Sequence, residues 1–254
     1  MAKLLPTDPQ DLERAVLELT AASFRNARKL QQAAVALLDQ ELWPGALAWA
    51  ALAAEEVGKA GLCISLLTTP RALREPAIAE FNRGFNHHQT KASIAHLLLA
   101  MDAEELPASW EQLIDGVTEA ARTTHRMKMR GLYVDYTPDT GALLAPEDIG
   151  EDAARFMVAT VDRLLAASLP AEASISDPDN YLDFLHQWHE GMDFEALQER
   201  FEADPMAFLG EIHAMAHDDV PPSAAWFGER LAEQMAAASR AELSPAPPAP
   251  AAPE

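Results

Sequence analysis

Arg83 and His88 lie five positions apart, and they are the residues of this sequence best suited to do chemistry. A histidine can take or give a proton near neutral pH, and an arginine can neutralise charge that develops on a phosphate. Together they suit cleavage of a phosphate ester. On one continuous helix the two side chains would point about 140° apart, at about 100° per residue. A shared site therefore needs either a distortion near Gly84 or an equivalent side chain from a second copy.

More polar side chains surround this pair than the interior of a buried helix needs. They are Asn82, Asn86, His87, Gln89 and Lys91. A solvated helix face is the alternative explanation, and the spacing alone does not separate the two. In the functional interpretation His88, or alternatively His87, is the general base. Arg83 then stabilises the transition state.

Two glutamates and a lysine follow the longest apolar run of the chain, at residues 45–54. Glu55 and Glu56 each lie one helical turn from Lys59, so either can form an ion pair with it. Charges inside an apolar helix cost free energy unless they are paired or face a cleft. The group is either a salt-bridged patch or a site in which a carboxylate holds Arg83 or a histidine. Glu56 and Lys59 are our candidates for that orienting role.

Three arginines recur at every fourth position, Arg122, Arg126 and Arg130, and no acidic residue lies between positions 120 and 134. Such a basic stripe can contact a phosphate backbone, although most charged helix faces are simply solvated. We interpret the three arginines as candidate contacts of a phosphate backbone.

The remaining histidines raise the question of a metal site. His186 and His189 are spaced to share a helix face, and so are His213 and His217. The sequence lacks the paired Glu-x-x-His motifs of di-iron bundles and the His-Glu-x-x-His motif of zinc proteases. We therefore predict no metal and no cofactor, and a metal-binding bundle is the weaker alternative.

The composition excludes several classes of protein. A net charge of −21 argues against a general nucleic-acid coat protein, and most of the acidic excess follows residue 170. The single cysteine, Cys63, cannot form an internal disulfide, which fits a reducing cytoplasm, and its apolar surroundings predict a core position. The longest apolar run is too short to cross a membrane. We expect a cytoplasmic protein that does not contact membranes.

Abundant alanine, leucine, glutamate and glutamine, only 11 glycines and no alternating pattern predict an all-α fold. We expect an up-and-down helical bundle at residues 8–170, an acidic helical extension at 171–243 and a disordered Pro/Ala tail at 244–254. Ser109 and Asp177 are predicted N-caps. Breaks in the pattern predict bundle helices at about 9–40, 46–67, 76–103, 110–129 and 147–169, a loop at 133–146, and short helices at 178–190, 193–203, 205–217 and 222–238.

Residues 20–165 resemble the abortive-infection V (AbiV) family, a branch of the HEPN superfamily of helical domains. The segments that carry the resemblance are Asn26-Ala27-x-x-Leu30, the alanine-rich 43–54, Glu55-Glu56-x-Gly58-Lys59, Phe85-Asn86-His87-His88-Gln89-Thr90-Lys91, Lys128-Met129-Arg130-Gly131-Leu132-Tyr133-Val134-Asp135 and Ala145-Pro146.

The resemblance implies a bacterial antiphage protein with a HEPN-like helical bundle. In the wider superfamily an Arg-x4–6-His motif builds a metal-independent RNase site, often across a dimer, and here that motif would be Arg83 and His88. With RNA as the substrate that the resemblance implies, the candidate RNA-binding residues are Lys91, Arg122, Arg126 and Arg130. The residue after the arginine is usually polar in those RNases, whereas this chain has Gly84. AbiV-type proteins are associated with arrest of translation in infected cells. The expected partners are RNA, the translation machinery or a phage protein, and the expected assembly is a homodimer. The alternative is a non-catalytic interaction module that binds a protein or the translation machinery.

Overall fold

The computed structural model describes Leu5, residues 9–136, Gly141 and residues 143–216. This part of the chain is an all-α bundle, as predicted, and none of its helices is long and apolar enough to cross a membrane. The helices are α1 (Pro9–Asp39), α2 (Trp43–Thr68), α3 (Arg74–Phe85), α4 (His88–Met101), α5 (Trp110–Leu132), α6 (Glu151–Ala167), α7 (Leu169–Ser174), α8 (Pro178–Gly191), α9 (Phe194–Ala203) and α10 (Pro205–Ala216).

Helix α2 is the centre of the bundle, and α1, α4, α5 and α6 all contact it. Most of its residues between Ala46 and Leu67 are buried, and half of those are alanines. A helix that is apolar on every side belongs in a core, and small side chains let several neighbours approach it closely. Glu55 lies midway along α2 and is therefore carried into the interior.

The first part of the C-terminal extension packs on this bundle. Ile175, Tyr181 and Leu185 are buried in the same apolar core as Leu17 of α1 and Leu47 of α2. Helix α8 contacts both α1 and α2. The domain boundary near residue 170 stays a prediction.

Two glycines permit very close contacts with α2. A Cβ atom at Gly58 would lie 1.8 Å from the carbonyl oxygen of Lys91, so the backbones of α2 and α4 touch at this point. A Cβ atom at Gly131, near the end of α5, would lie 2.7 Å from the carbonyl oxygen of Pro44. Any larger residue at either position would push a helix away from the centre of the bundle.

The prediction of one helix over 76–103 is wrong, because the structure has two helices, α3 and α4, that are separated at Asn86 and His87. His87 has extended backbone angles (φ −105°, ψ 113°), and its Nδ1 accepts a hydrogen bond from the backbone N–H of Thr90 at 3.4 Å. An N-cap of this kind satisfies a donor that the first turn of a helix leaves unpaired. The break between Arg83 and His88 therefore follows Phe85 and is not at Gly84.

The predicted loop at 133–146 contains two short antiparallel strands, β1 (Asp135–Tyr136) and β2 (Leu143–Leu144). The helix predicted from residue 147 begins at Glu151, after a 3-10 turn. The predicted caps are confirmed, because Ser109 and Asp177 each accept a hydrogen bond of 3.2 Å from a backbone N–H three residues later. The helix predicted at 222–238 and the Pro/Ala tail at 244–254 lie outside the described residues.

Replacing Gly58 with alanine should force α2 and α4 apart, because the new methyl group overlaps a backbone oxygen. We expect the free energy of unfolding to fall by about 2–3 kcal/mol, the upper part of the range for overpacked cores. Urea titration followed by circular dichroism measures this change. The matched control is Gly116→Ala on α5, where a Cβ atom meets nothing within 4 Å. The control should be neutral or stabilising by up to about 1 kcal/mol, and equal effects in the two variants would contradict the close contact.

Candidate functional site

The centre of the candidate site is the carboxylate of Glu55 on α2, whose side chain is only 4% exposed. Its Oε1 accepts a hydrogen bond from the ammonium group of Lys128 on α5, which is equally buried. Its Oε2 lies 2.6 Å from Nδ1 of His88, the first residue of α4. One carboxylate thus joins three helices, and a partner on each oxygen offsets the cost of burying its charge.

His88 is the exposed member of this cluster, with 52% of its side chain open to solvent. A carboxylate only accepts hydrogen bonds, so Nδ1 of His88 carries the proton in this contact. In the neutral ring Nε2 then holds the lone pair that can take up a proton. A carboxylate that fixes the tautomer and the orientation of a histidine is a recurring feature of general-base sites.

A second imidazole lies beside the first. The ring centroids of His88 and His125 are 6.0 Å apart, and the ring planes are inclined by 27°. Burial lowers the pKa of His125, and the charge of Lys128 acts in the same direction, so this ring is neutral at pH 7. Its Nδ1 is buried and has no hydrogen-bond partner in the described part of the chain.

Lys91 completes the buried part of the site. Burial lowers the pKa of its amine, and Lys59 and Lys128 add to this effect against the attraction of Glu55 and Glu56. The sequence predicted Lys91 as an RNA contact. The structure places it within one group of two carboxylates and three lysines, with little of its surface exposed.

Arg83 and the pair of Glu56 and Lys59 lie around this centre. Glu56 and Lys59 are 2.5 Å apart, and Lys59 also lies over the ring of Phe85. Arg83, on α3, is 74% exposed and lies 3.2 Å from Glu80. The structure therefore brings a carboxylate to His88, as one interpretation required, and that carboxylate is Glu55. The catalytic roles of Arg83, His88, His87, Glu56 and Lys59 stay predictions.

The basic stripe follows α5 towards its C-terminal end. Arg122 and Arg126 are exposed, with Glu119 3.6 Å from the first and Thr123 3.3 Å from the second. Arg130 is half-buried at the end of the helix. Contact of these arginines with RNA stays a prediction.

Glu55, Lys128 and His125 are the cluster residues that sequence reasoning did not select. Glu55 belongs to the pair of glutamates that the sequence indicated, but the orienting role was assigned to Glu56. Lys128 had a usable signal, because it continues the buried face of α5 at spacings of three and four residues. That face consists of Leu113, Val117, Ala121, Thr124 and Lys128. A lysine on such a face implies a buried carboxylate opposite it.

A second buried carboxylate, Glu13, attaches α8 to the bundle. Arg74 forms an ion pair with its Oε1, and Nε2 of His186 lies 3.2 Å from its Oε2. Burial alone would raise the pKa of Glu13, but the hydrogen bonds from Arg74 and His186 outweigh it and lower the pKa. His189 donates a hydrogen bond to the carbonyl oxygen of Leu67 at 3.0 Å.

These contacts give both members of the His186/His189 pair a protein partner. His213 donates to the carbonyl oxygen of Ala103 at 2.6 Å, and His217 lies outside the described residues. Among the residues that the structure describes, no group of three or more histidine, cysteine, aspartate or glutamate side chains is placed to hold a metal ion.

Comparison with known proteins assigns the family. The model of a HEPN-type family described as AbiV matches residues 15–166, which is more than half of the chain. The chain belongs to the AbiV family. The match points to a role in abortive infection, the defence of a cell against phage. A search of curated proteins and a search of solved structures found no match. The AbiV match includes every residue of the Glu55 cluster, whereas Glu13 and α7 to α10 lie outside it.

The single substitutions Glu55→Gln and Lys128→Met should each destabilise the protein. The first leaves the Lys128 ammonium buried without its carboxylate, and the second leaves the buried Glu55 carboxylate with only the half-exposed His88 beside it. We expect each to lower the free energy of unfolding by about 3–5 kcal/mol in urea titrations at pH 7. The double variant should recover most of this loss, because neither charge remains. The matched control is Glu151→Gln, which removes an exposed ion pair with Arg155 and should cost less than about 1 kcal/mol. Additive losses in the double variant would contradict a shared buried pair.

Stability should fall as the pH decreases below about 6.5, the pKa of an unperturbed histidine. Burial lowers the pKa of His96, His125 and His189, so these rings stay neutral in the folded protein while the unfolded chain takes up protons. The loss should level off once the pH passes the lowered pKa values.

Replacing His96 with glutamine keeps a group that can bond to Thr124, which lies 2.8 Å from the ring, and removes one of these titrations. The variant should lose stability less steeply than the wild type in urea titrations between about pH 6.5 and 5. Lower pH is avoided because Glu13, with its lowered pKa, then begins to contribute. An unchanged slope would show that His96 binds protons equally in both states.

Proposed function

We propose that this AbiV-family protein is an antiphage effector that cleaves RNA without a metal ion and thereby impairs translation in infected cells. The contact between Glu55 and His88 carries the proposal. It provides a half-exposed imidazole with a fixed tautomer, which is what a general base for a ribose hydroxyl requires.

In the proposed reaction Nε2 of His88 removes the proton of a ribose 2′-hydroxyl. The 2′-oxygen then forms a bond to the adjacent phosphorus, and the bond from that phosphorus to the 5′-oxygen of the next nucleotide breaks. The leaving oxygen takes a proton from solvent, so the products are a 2′,3′-cyclic phosphate and a 5′-hydroxyl.

Arg83 stabilises the negative charge of the phosphorane in this scheme. Its ion pair with Glu80 joins two side chains that are both largely exposed, and such pairs hold a guanidinium only weakly. Following the family resemblance, the proposal includes a homodimer in which Arg83 of one copy faces His88 of the other. Glu56 and Lys59 orient the site, while Arg122, Arg126 and Arg130 attract the RNA backbone.

Purified protein should degrade RNA in the presence of EDTA, and His88→Ala and Arg83→Ala should each lower the rate by about 100-fold or more. The measurement is the cleavage of end-labelled RNA, with the melting temperature of each variant recorded in parallel. Arg25→Ala, at an exposed position of α1, is the control for loss of a positive charge and should cleave like the wild type.

Mixing the two inactive variants separates an intersubunit site from a site within one chain. If Arg83 and His88 act across a dimer, a mixed dimer contains one intact site, and part of the activity returns. No recovery would place both groups in one chain. Equal activity in all variants, or none in the wild type, would contradict the nuclease proposal.

The second candidate function is a non-catalytic interaction module that binds a protein or the translation machinery. The observation that favours it is the pairing of both Glu55 oxygens, which suits a structural network as well as a reactive one. In this case His88→Ala lowers the melting temperature but leaves phage resistance intact in cells where the variant folds. Phage plating on cells that carry wild type or variant distinguishes the two candidates.

A further inference from the structure

A groove of about 1100 Å³ opens between α4, α5 and α6. Its lining is mostly apolar and includes Leu99, Ala120, Met127, Phe156 and Met157. Phe156, on α6, is 71% exposed in the described part of the chain. Folded proteins rarely leave a large apolar surface open to water unless it binds something.

The chain leaves the described structure at one end of this groove. His213 on α10 donates its hydrogen bond to the carbonyl oxygen of Ala103, and Ala103 lines the groove. Phe201 on α9 packs edge-on against Trp110, the first residue of α5, with ring centroids 5.4 Å apart. These contacts hold α9 and α10 beside the groove, and α10 ends at Ala216. Residues 217–254 therefore continue from this point.

The sequence after α10 contains a segment that matches the groove in chemistry. Residues 222–238 were predicted to be helical, and a helix over them would have one apolar face and an opposite face that carries charged side chains together with Trp226. The apolar face consists of Ala224, Phe227, Leu231, Met235 and Ala238, whereas Glu229 and Glu233 fall on the other side. Pro222 is the first residue of the segment and Pro221 precedes it, and proline suits the first turn of a helix.

The segment also matches the groove in length. The lining extends on α5 from Gly116 to Met127 and on α6 from Asp152 to Arg163. Each stretch is about 18 Å long at 1.5 Å per residue. A helix over residues 227–238 would have the same length, so its apolar face would cover the groove from end to end.

We propose that residues 222–238 of this chain form an amphipathic helix that lies in the groove between α4, α5 and α6. Phe227, Leu231 and Met235 pack against Phe156 and the other apolar side chains of the lining. Because the segment is attached at the end of the groove, its effective concentration there is in the millimolar range, which favours it over the same segment of a second copy.

Thiol labelling of the full chain tests this placement. Cys63 is buried, as the sequence predicted, and burial raises the pKa of its thiol to about 12, so it reacts negligibly. Ala159 lies on α6, lines the groove and is exposed in the described structure. Ala159→Cys should react with a maleimide at least about 10-fold more slowly than Ala36→Cys, at an exposed position of α1, because labelling requires the segment to detach.

A second substitution ties the protection to the apolar face. Adding Leu231→Asp to Ala159→Cys should raise the labelling rate to that of the exposed control, because a carboxylate on this face cannot enter an apolar groove. Ala236→Asp, on the opposite face, is the matched change and should leave the slow rate intact. Circular dichroism confirms that each variant keeps its helices.

Three results would overturn the placement. Equal rates for Ala159→Cys and Ala36→Cys would show that the groove is open. A slow rate that Leu231→Asp does not change would show that something else covers it. A rate that falls as the protein concentration rises would assign the groove to a second copy of the chain.

Discussion

A negative charge in the middle of an alanine-rich helix is the constraint on which this structure depends. Glu55 lies at the centre of α2, where an unpaired carboxylate would cost several kilocalories per mole. Lys128 and His88 offset that cost from two other helices, so α5 and the start of α4 must both meet α2 at this level. Gly58, one turn further along α2, allows α4 to come close enough.

The same physical arrangement attaches the C-terminal extension. Glu13 on α1 is buried and forms an ion pair with Arg74 of α3. His186 of α8 is its second partner. A buried carboxylate with several hydrogen-bonding partners binds them in one geometry, whereas an apolar contact tolerates sliding. Glu13 and α8 lie outside the AbiV match. The extension is therefore attached by the same kind of contact as in the matched region, a buried carboxylate with partners on other helices.

One side chain, Glu55, contributes both to stability and to the proposed chemistry. The Glu55 carboxylate compensates a buried lysine and also sets the tautomer of a half-exposed histidine. A rigid, dry carboxylate is a good orienting group because it cannot exchange its partner for water. The exposed edge of His88, with His125 beside it, is the part of the cluster that a ligand can reach.

The helices, their principal caps and the family could be predicted from the sequence, because helix propensity, the capping residues Ser109 and Asp177 and the Glu-Glu-x-Gly-Lys segment are local features of the chain. The break at His87 was missed, because a histidine cap has no strong local signature. Only the tertiary structure decided that Glu55, and not Glu56, reaches His88, and that Lys128 is its partner 73 positions away. Neighbouring residues on a helix point about 100° apart, so which of two adjacent glutamates faces the interior depends on the helices packed around them.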